Sequence, residues 1–571
     1  MRLAAFALLM FAAVCHAAER PNVLLIITDD QGFGDLGCHG NPKIHTPNLD
    51  RFAKQSVELT RFHVCPVCSP TRAGLLTGRY NYRTRVVDTF LGRSMMDPQE
   101  VTLAEPLRDA GYRTGIFGKW HLGDCYPLRP QDHGFQEILV CRGGGIGQPA
   151  DPPGNKYFDP ILVHNGQAEK MPGYCSDIFT NAVMKFIEQS GDRRFFAYLA
   201  FNAPHDPLQV ADELVEPYRK MDLSPAAFPK IGFPLTNVAP REQTARVYAM
   251  IENIDTNLGK LFKLLDDRKL ANNTIVIFMS DNGPAQGRYN TGLRGLKGTV
   301  YDGGLRVPCY WRWPAQLRAG GVIDAPTAHI DVAPTLLDFC GVKRPANLDG
   351  KPLDSLFLNR AAAWPERTLF FQWHRGEVPE LHRAFAARGP RYKLVQAAGA
   401  GAEPNRERWK VELFDMVDDP YEQHDVAGQH SDMVKELGQQ YKAWFEDVGR
   451  TRGYDPPRIF LGADAENPVT LTRQDWRGPR AGWRVDDLGH WEVKIVHAAE
   501  YSVAVKFAPR TDAGRVHLKI GQVVQDQEVA AKETETVFRG MKLPAGDAHL
   551  EAWVQVGERT AGATYVEVER K

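Results

Sequence analysis

The sequence lacks an excess of charge of either sign. Lys and Arg together number 69 against 70 Asp and Glu, which gives a formal net charge of −1 at pH 7. Dedicated nucleic-acid binders usually carry a basic domain, so this near balance argues against that class. The 571 residues are 43% hydrophobic, which excludes a largely disordered or collagen-like chain and suffices to bury a large core.

Long hydrophobic runs are also missing from most of the chain. After residue 18, no segment reaches the roughly 18 uninterrupted apolar residues that span a bilayer. At the N-terminus, Arg2 precedes the apolar run 3–15 and the small residues Ala17 and Ala18. This pattern is typical of a secretory signal peptide over residues 1–18, and a buried N-terminal helix or a lipoprotein signal are its alternatives. We therefore expect cleavage near Ala17 or Ala18 and a secreted or periplasmic protein without a membrane span.

Cysteine is sparse, with nine residues, and this excludes a small disulfide-held scaffold. Cys15 leaves with the predicted signal peptide. Cys65 and Cys68 form a single Cys-x-x-Cys pair, and no second pair follows at the spacing of a zinc site. The odd total means that at least one thiol is removed, free or used for another purpose, and the pairing of the others stays open.

Roughly the first 450 residues alternate short apolar runs with helical patterns, which is typical of a mostly parallel sheet covered by helices. The predicted buried strands are 23–28, 114–117, 195–201 and 274–280, and the clearest predicted helices are 177–188 and 241–265. We expect an α/β catalytic domain over residues 19–324. A smaller, antiparallel α+β subdomain is expected over 325–453, closed by a helix at 431–448.

The pattern changes beyond residues 454–457, where two adjacent prolines favour a boundary. Apolar and polar residues then alternate in several short segments, namely 491–496, 501–507, 516–520, 549–556 and 565–568. This alternation predicts an all-β sandwich over residues 463–571. Its tryptophans, Trp476, Trp483, Trp491 and Trp553, either pack in its core or stack on sugar rings.

Each of the four predicted strands runs into residues that can bind metal or move protons. They are Asp29 and Asp30, then Lys119 and His121, then His205, and last Asp281 and Asn282. Because the carboxyl ends of parallel strands form the ligand edge of an open sheet, we expect these side chains to converge. Carboxylate and amide oxygens suit Ca²⁺ or Mg²⁺ better than Zn²⁺. The cations Arg72, Lys119 and Lys297 can offset the carboxylates and bind an anion.

The segment around Cys68 carries the sharpest signal. Pro70 suits the first position of a helix, so Cys68 is predicted to lie just before a helix N-terminus, where free N–H groups favour an anion. A structural or disulfide-bonded cysteine and a nucleophilic thiolate are both compatible with this position. The Cys-x-x-x-Arg spacing to Arg72 differs from the Cys-x5-Arg loop of thiolate phosphatases.

Residues 68–72, Cys-Ser-Pro-Thr-Arg, resemble the C-x-P-x-R signature of the type I sulfatases, an arylsulfatase-like family of the alkaline phosphatase superfamily. The similar continuation Leu-Thr-Gly-Arg stands at 76–79. Further segments similar to that family follow in its order, namely 21–30, 118–123, 203–205, 280–283, 295–308 and 413–422. The resemblance covers about residues 20–450, and Asp302 stands where the family more often has Glu.

This resemblance implies hydrolysis of a sulfate monoester of an aryl alcohol or a carbohydrate. In that family a dedicated maturing enzyme oxidises the signature cysteine to Cα-formylglycine during export, and Cys68 is the matching residue. The implied cation is Ca²⁺, with Mg²⁺ second. Its implied ligands are Asp29, Asp30, residue 68, Asp281 and Asn282.

The resemblance also implies roles for the remaining polar residues. Arg72, Lys119 and Lys297 are expected to hold the sulfate and orient the hydrated aldehyde. His205, helped by Lys297, is expected to protonate the leaving alcohol, and His121 to deprotonate the second hydroxyl as sulfate leaves. Two other functions stay open: a phosphomonoester or phosphonate hydrolase on the same fold, and a non-catalytic carbohydrate-binding protein that acts through its C-terminal sandwich.

Overall fold

The computed structural model describes residues 20–571 except 236, 360–363 and 402–408. The predicted signal peptide, residues 1–18, therefore lies outside the described residues. Within those described ranges, no helix has both the length and the apolar character needed to cross a bilayer.

A ten-stranded sheet lies in the middle of the molecule. Its strands, with the short separate pair β3 and β12, are β1 (Asn22–Thr28), β2 (Val57–Leu59), β3 (Phe62–His63), β4 (Arg113–Lys119), β5 (Glu137–Cys141), β6 (Ile161–His164), β7 (Gln167–Lys170), β8 (Phe195–Ala200), β9 (Thr274–Ser280), β10 (Cys309–Arg312), β11 (Gly321–Ile323) and β12 (Thr327–Ala328). The order across the sheet is β11-β2-β10-β9-β1-β8-β4-β5-β6-β7. The centre, from β9 to β5, is parallel, and β10, β6 and β7 run antiparallel to their neighbours.

Strand β1 shows why this sheet is buried on both faces. Successive side chains of a strand point to opposite faces. Leu24 and Ile26 accordingly belong to one hydrophobic core, whereas Val23, Leu25 and Ile27 belong to the other. A strand that is buried on both faces has a continuous apolar sequence, and β1 was predicted from such a run.

Helices cover the two faces. They are α1 (Pro47–Lys54), α2 (Cys68–Thr77), α3 (Ala104–Asp109), α4 (Cys175–Ser190), α5 (Asp212–Lys220), α6 (Arg241–Asp267), α7 (Asp302–Leu305), α8 (Val332–Phe339), α9 (Asp354–Phe357) and α10 (Ser431–Arg450). Short 3-10 helices lie at Gly37–His39, Asn81–Thr84, Pro130–His133, Pro225–Ala227, Ala271–Asn273 and His329–Asp331. The apolar sides of α4 and α6 pack on one face of the sheet, and α2 and α8 pack on the other.

A second, antiparallel sheet follows the main one. Its strands in order are β13 (Leu369–Gln372), β14 (Phe385–Arg388), β15 (Tyr392–Gln396) and β16 (Glu412–Asp415). Helix α10 places Leu437, Tyr441, Trp444 and Val448 against it, at the three- and four-residue spacing of one helix face.

The C-terminal part consists of two packed sheets. Their strands are β17 (Ile459–Leu461), β18 (Val469–Thr472), β19 (His490–Ile495), β20 (Ala499–Lys506), β21 (Gly514–Ile520), β22 (Val523–Val529), β23 (Glu535–Leu543), β24 (Gly546–Val556), β25 (Arg559–Gly562) and β26 (Tyr565–Arg570). One sheet runs β17-β19-β24-β21-β22, with β25 beside β24, and the other runs β18-β26-β20-β23. The core between them also takes in Leu91, Met95, Cys125 and Leu128 from the preceding part of the chain.

The predicted fold class is confirmed, since a mostly parallel sheet between helices is followed by antiparallel sheets. The predicted strand 274–280 has the observed bounds of β9, and the predicted helix 241–265 ends two residues short of α6. The sequence did not single out β22, because most of its residues are exposed and polar and show little apolar periodicity.

The eight cysteines of the described chain are all free thiols, and all but Cys38 are buried. Cys65 therefore does not pair with Cys68. The alternative of a disulfide-bonded Cys68 is wrong.

Candidate active site

The ends of four parallel strands meet at one edge of the central sheet, as the sequence predicted. The residues that follow β1 and β8 are joined by a hydrogen bond from Asp29 N to Ala203 O of 3.2 Å. A second backbone hydrogen bond, from Asp281 N to Thr28 O at 3.0 Å, joins the residue after β9 to the end of β1. The loops therefore form one connected layer that carries the predicted polar residues.

Asp29 and Asp30 reach the same site because the strand ends before them. Asp30 adopts a positive φ of 65°, an uncommon conformation outside glycine, which turns the chain out of the extended pattern. Its N–H then donates to Asp281 Oδ1 at 3.2 Å, and Asn282 Nδ2 donates to its Oδ1 at 2.7 Å. The chain at Asp30 is thus joined to both Asp281 and Asn282.

Each of the three carboxylates has its own cation. Lys119 Nζ lies 2.5 Å from Asp29 Oδ2, and Lys297 Nζ lies 2.5 Å from Asp30 Oδ1. Arg72 holds Asp281 Oδ2 through Nε at 3.1 Å and Nη2 at 2.8 Å. Three positive and three negative charges cancel, so a divalent cation and an anion can enter this site together without leaving it highly charged.

Glycine is required where Lys119 enters the site. Gly118 has a φ of 117°, and a side-chain Cβ on it would lie 1.8 Å from the carbonyl oxygen of Ala200. No neighbouring backbone can yield by that distance, so only glycine fits between β4 and β8. The close packing of β4 against β8 therefore explains why the segment Gly-Lys-Trp-His begins with glycine.

Burial and neighbouring charges shift the pKa values of Asp281 and Asp30 in opposite directions. Burial, followed by the charge of Asp29, raises the pKa of Asp281 to about 6. Burial also acts to raise the pKa of Asp30, but Lys297 and His205 outweigh it and hold that pKa below its usual value. The protein's own charges therefore leave one carboxyl with a raised pKa and the other with a lowered pKa. A cation bound between the carboxylates would favour the ionised form of each.

Two oxygens at the centre lack a hydrogen-bond donor. Asp29 Oδ1 and Asn282 Oδ1 are buried and have no partner among the described residues. Buried polar atoms of this kind are costly unless something binds them. Candidate ligand atoms of Asp29, Cys68 and Asp281 lie within 4.8 Å of one another, as do those of Asp29, Asp30 and His205. Oxygen-rich residues with orphaned acceptors fit a hard divalent cation.

Cys68 lies at the start of a helix, although the predicted start was wrong by two residues. Helix α2 begins at Cys68 itself, with Val67 as its N-cap, and Pro70 is the third residue. Proline fits there because the first-turn N–H groups have no partner within the helix. Cys68 is only 2% exposed, and burial raises the pKa of its thiol. A raised pKa works against the alternative of an unmodified thiolate nucleophile.

The two predicted histidines are held by backbone carbonyls. His205 Nδ1 lies 2.6 Å from Asp206 O, and its Nε2 lies 3.9 Å from Asp30 Oδ2. Burial and then Lys297 lower the pKa of His205 to about 4. His121 Nε2 lies 2.7 Å from Thr89 O, which makes that nitrogen the donor and leaves Nδ1 as a buried acceptor without a partner in the described chain. Burial also lowers the pKa of His121 well below its usual value.

A cavity of about 200 Å³ opens over this layer. Of the predicted residues, it is lined by Cys68, His121, His205 and Lys297. Arg72 and Lys119 do not line it: both side chains are completely buried, and they act on the site through the carboxylates that they hold.

Sequence reasoning missed most of the cavity wall. The residues it did not name are Val67, Thr89, Phe90, Gly144, Gln148 and Arg375, and Trp483 was named only among the tryptophans that either pack in the sandwich core or stack on sugar rings. Only Gly144 left a recognisable signal, within the glycine run 143–145, where a Cβ would lie 2.6 Å from His121 Nε2. The others come from loops and from the C-terminal sandwich, where no motif marks them.

Asp302, the residue that departs from the sulfatase pattern, lies in a separate buried cluster. Its Oδ1 accepts a hydrogen bond from Lys393 Nζ at 2.6 Å, and its Oδ2 lies 3.6 Å from His63 Nε2. Lys393 also contacts Glu422 Oε1 at 2.7 Å, and Glu422 Oε2 accepts from Asp302 N at 2.7 Å. This cluster ties α7 to β15 and does not line the cavity.

His39 and His45, which follow β1 closely in sequence, lie elsewhere. His39 bonds to Phe33 O and Glu58, and His45 bonds to Glu252. Neither lines the cavity.

The open sheet, with carboxylates and cations gathered where its strands end, defines a hydrolase of the alkaline phosphatase-like superfamily. Residues 21–342 match the family model described as Sulfatase, and residues 296–447 match the one described as N-sulphoglucosamine sulphohydrolase, C-terminal. The chain belongs to the sulfatase family and is a sulfuric ester hydrolase.

Curated relatives agree with this assignment. Canine N-acetylgalactosamine-6-sulfatase is 32% identical over 397 residues, which cover 63% of this chain and 70% of that protein. Human arylsulfatase A is 32% identical over 417 residues, covering 68% and 76%. The solved structure named Ps i-CgsB superposes with a TM-score of 0.64 at 27% identity and covers 76% of this chain and 95% of its own.

A phosphonate monoester hydrolase from Agrobacterium radiobacter shares the fold, with a TM-score of 0.56, 20% identity and coverage of 75% of this chain and 96% of its own. A sequence identity of 20% supports a shared fold and carries no conclusion about function.

Proposed function

We propose that this protein is an exported sulfatase that hydrolyses a sulfate monoester of a carbohydrate or aryl alcohol. In this proposal Cys68 is converted to Cα-formylglycine by a maturing enzyme, and Ca²⁺ rather than Mg²⁺ is the divalent cation. The observation that carries it is the position of Cys68: it lies in the first turn of α2, in the wall of the cavity, within 4.8 Å of two carboxylates.

Asp29, Asp30, residue 68, Asp281 and Asn282 would hold the cation. When present, the cation polarises the sulfate oxygens, and the hydrated aldehyde of formylglycine supplies the attacking hydroxyl. The orphaned oxygens of Asp29 and Asn282 support this ligand set, because a cation satisfies acceptors that no donor in the described chain reaches.

Lys297 binds the anionic ester, and the two buried cations support the site from behind. Lys297 lines the cavity, and the neighbouring carboxylates, led by Asp30, outweigh burial and keep its pKa above the usual value, so it stays charged. Arg72 and Lys119 lie behind the carboxylates and fix their positions. Charge held in a buried, preorganised layer stabilises a developing anion more than it would in water.

The two histidines have opposite tasks. His205 protonates the leaving alcohol together with Lys297, and the negative charge of a bound ester beside it acts to raise its lowered pKa. His121 stays neutral, because burial and the charge of Lys119 lower its pKa, and its free Nδ1 can accept a proton from a hydroxyl of residue 68. The hydrogen bond to Thr89 O fixes the tautomer that this base requires.

Relatives support the substrate class. The names of the mammalian relatives specify an N-acetylgalactosamine sulfate and aryl sulfates. Ps i-CgsB has been solved in complex with k-i-k-neocarrahexaose, an oligosaccharide. We therefore favour a sulfated sugar as the natural substrate.

Mass spectrometry of the Cys68 peptide, from active enzyme made in its natural host, tests the modification. Formylglycine replaces the thiol sulfur by an aldehyde oxygen, so the expected peptide is lighter than the unmodified one. A fully unmodified Cys68 in active enzyme overturns the mechanism.

Turnover of 4-nitrophenyl sulfate against 4-nitrophenyl phosphate tests the reaction itself. Sulfate release is expected to be the faster of the two. Faster phosphate release favours a phosphomonoester hydrolase on the same fold.

A further inference from the structure

One wall of the cavity belongs to the C-terminal sandwich. Trp483, between β18 and β19, lines the cavity together with Cys68, His205 and Lys297. It is 39% exposed, whereas Trp476 and Trp491 of the same sandwich are completely buried. Of these tryptophans, only Trp483 therefore faces a space that a ligand can enter.

The sandwich is held firmly enough against the cavity to position this residue. Gln474 Nε2 donates to Thr89 O at 2.9 Å and to Ser94 Oγ at 3.2 Å, and Gln474 O accepts from Gly92 N at 2.8 Å. Leu91 and Met95, next to these residues, are part of the sandwich core. The mouth of the cavity is therefore built jointly by the two parts of the chain.

Trp483 forms a continuous aromatic surface with Phe90. Their ring centroids are 5.3 Å apart at an interplanar angle of 76°, an edge-on arrangement that aromatic pairs favour. The guanidinium carbon of Arg375 lies 4.4 Å from the centroid of the Phe90 ring, and Arg375 Nη1 is in turn bonded to Asp88 at 2.7 Å. Phe90 is thus fixed on two sides, and the aromatic surface is preformed.

The chemistry of these two aromatic residues differs from that of the charged and catalytic residues that also line the cavity. Residues 68, 205 and 297 offer charge and proton transfer, whereas Trp483 and Phe90 offer apolar ring surface. A sulfated sugar has the same two halves, an anionic sulfate and a ring whose C–H face stacks on aromatic side chains.

We propose that Trp483 and Phe90 form a sugar-binding wall that holds the ring carrying the sulfate, so that the C-terminal sandwich is part of the substrate site. This inference rests on the proposed sulfatase function and adds to it the residues that select the alcohol. The wall contacts the sugar and leaves bond cleavage to the residues at the strand ends.

Kinetics of Trp483→Ala test the wall, with a panel of N-acetylgalactosamine 6-sulfate, N-acetylglucosamine 6-sulfate and galactose 4-sulfate as substrates. Loss of ring stacking is expected to raise KM about tenfold for the sugar that the wild type hydrolyses, with kcat nearly unchanged. Inorganic sulfate, as a competitive inhibitor, probes the sulfate end alone, and its Ki is expected to stay the same. Trp483→Phe should retain most of the affinity.

Trp553→Ala is the matched control. Trp553 belongs to the same sandwich but stacks on His517, with centroids 4.9 Å apart, and does not line the cavity. It should leave KM unchanged.

Three results would contradict the proposal that Trp483 and Phe90 form a sugar-binding wall. The first is an unchanged KM in Trp483→Ala. The second is an equal rise in KM and in the Ki of sulfate with a lowered Tm, which makes Trp483 only a domain contact. The third is a wild type that hydrolyses 4-nitrophenyl sulfate and none of the sugars. Failure to hydrolyse any sulfate ester instead overturns the proposed function, and the wall with it.

Discussion

Two of the buried charge clusters in the described chain are satisfied to different degrees. In the structural cluster, formed by Asp302, Lys393 and Glu422, all three hydrogen bonds of 2.6–2.7 Å join its own members. The cavity cluster consists of Asp29, Asp30, Asp281 and Asn282 with the cations that hold them. In it, Asp29 Oδ1 and Asn282 Oδ1 have no hydrogen-bond donor in the described chain. Both are buried and both contain ion pairs, so burial and charge alone do not distinguish them.

The difference teaches that unpaired acceptors beneath an opening indicate a ligand site better than a buried ion pair does. The structural cluster joins α7 to β15 and does not line the cavity. The cavity cluster keeps acceptors free and lies under an opening. A fold bears the cost of unpaired buried atoms where a ligand later compensates it.

Replacing Cys68 should produce the largest effect and separate activity from stability. In Cys68→Ala, turnover of 4-nitrophenyl sulfate is expected to fall by about 10⁴-fold or more, because the nucleophile is lost. The Tm should change little, since a small buried side chain replaces another. Cys65→Ala, which removes a buried free thiol in the loop before α2, should stay active; equal loss in both variants would contradict the assignment.

Breaking the structural cluster should do the reverse. Lys393→Met leaves Asp302 and Glu422 without their cation and is expected to lower the free energy of unfolding by about 3–5 kcal/mol. Urea unfolding measures this, and activity per folded molecule should be retained. Lys410→Met, which removes an exposed partner of Asp425, is the control and should have little effect. A loss of turnover in Lys393→Met without a loss of stability would contradict the structural role of this cluster.

Removing the divalent cation should affect only the cavity cluster. Chelation is expected to abolish turnover and to lower stability by about 2–3 kcal/mol relative to enzyme with the cation at a hundred times its Kd. Thermal unfolding with EDTA and with added Ca²⁺ measures the shift. Asp281→Asn should remove most of this response and Lys393→Met should keep it; a response that survives unchanged in Asp281→Asn would place the cation elsewhere.

The smallest expected effect is a pH dependence that originates in the structural cluster. Burial raises the pKa of Glu422 to about 7, although Lys393 opposes this, so the folded state holds its proton more tightly than the unfolded chain. The resulting stability is present at low pH and is lost as pH rises from about 4.5 to 7, by on the order of 1–3 kcal/mol. The other charged groups that interact with Glu422 are Asp302 and Arg388, and His63, whose pKa burial lowers, adjoins Asp302.

Urea midpoints at pH 5 and pH 7.5 measure this loss. Glu422→Gln cannot titrate and should show a smaller difference between the two pH values than the wild type. An equal difference in both proteins would assign the pH dependence to other groups.

The sequence predicted the central layer of the site because strand ends combine two strong signals. Apolar runs such as 274–280 locate the strand, and the polar residues that follow are placed by the topology of a parallel sheet. Asp29, Lys119, His205 and Asp281 meet for this reason. Helix α2 was predicted as well, with an error of two residues at its start, because proline is accepted at several first-turn positions.

The cavity wall could not be predicted in the same way. Phe90 and Arg375 lie in segments without periodicity, and Trp483 comes from a different part of the chain. Their meeting depends on how the sandwich packs, through residues such as Gln474, on a loop far away in sequence. Contacts of this kind follow from tertiary packing, and no local pattern encodes them.

The burial of Cys68 has a consequence for biosynthesis. The thiol is 2% exposed, and every residue of α2 is buried. A maturing enzyme can reach a thiol buried in this way only while the segment is unfolded, so the proposed oxidation has to occur before the helix packs. Modification and folding then compete in time, and a chain that folds first is trapped as a well-formed but inactive protein. The yield of active enzyme becomes a kinetic quantity, set by two rates rather than by the stability of the fold.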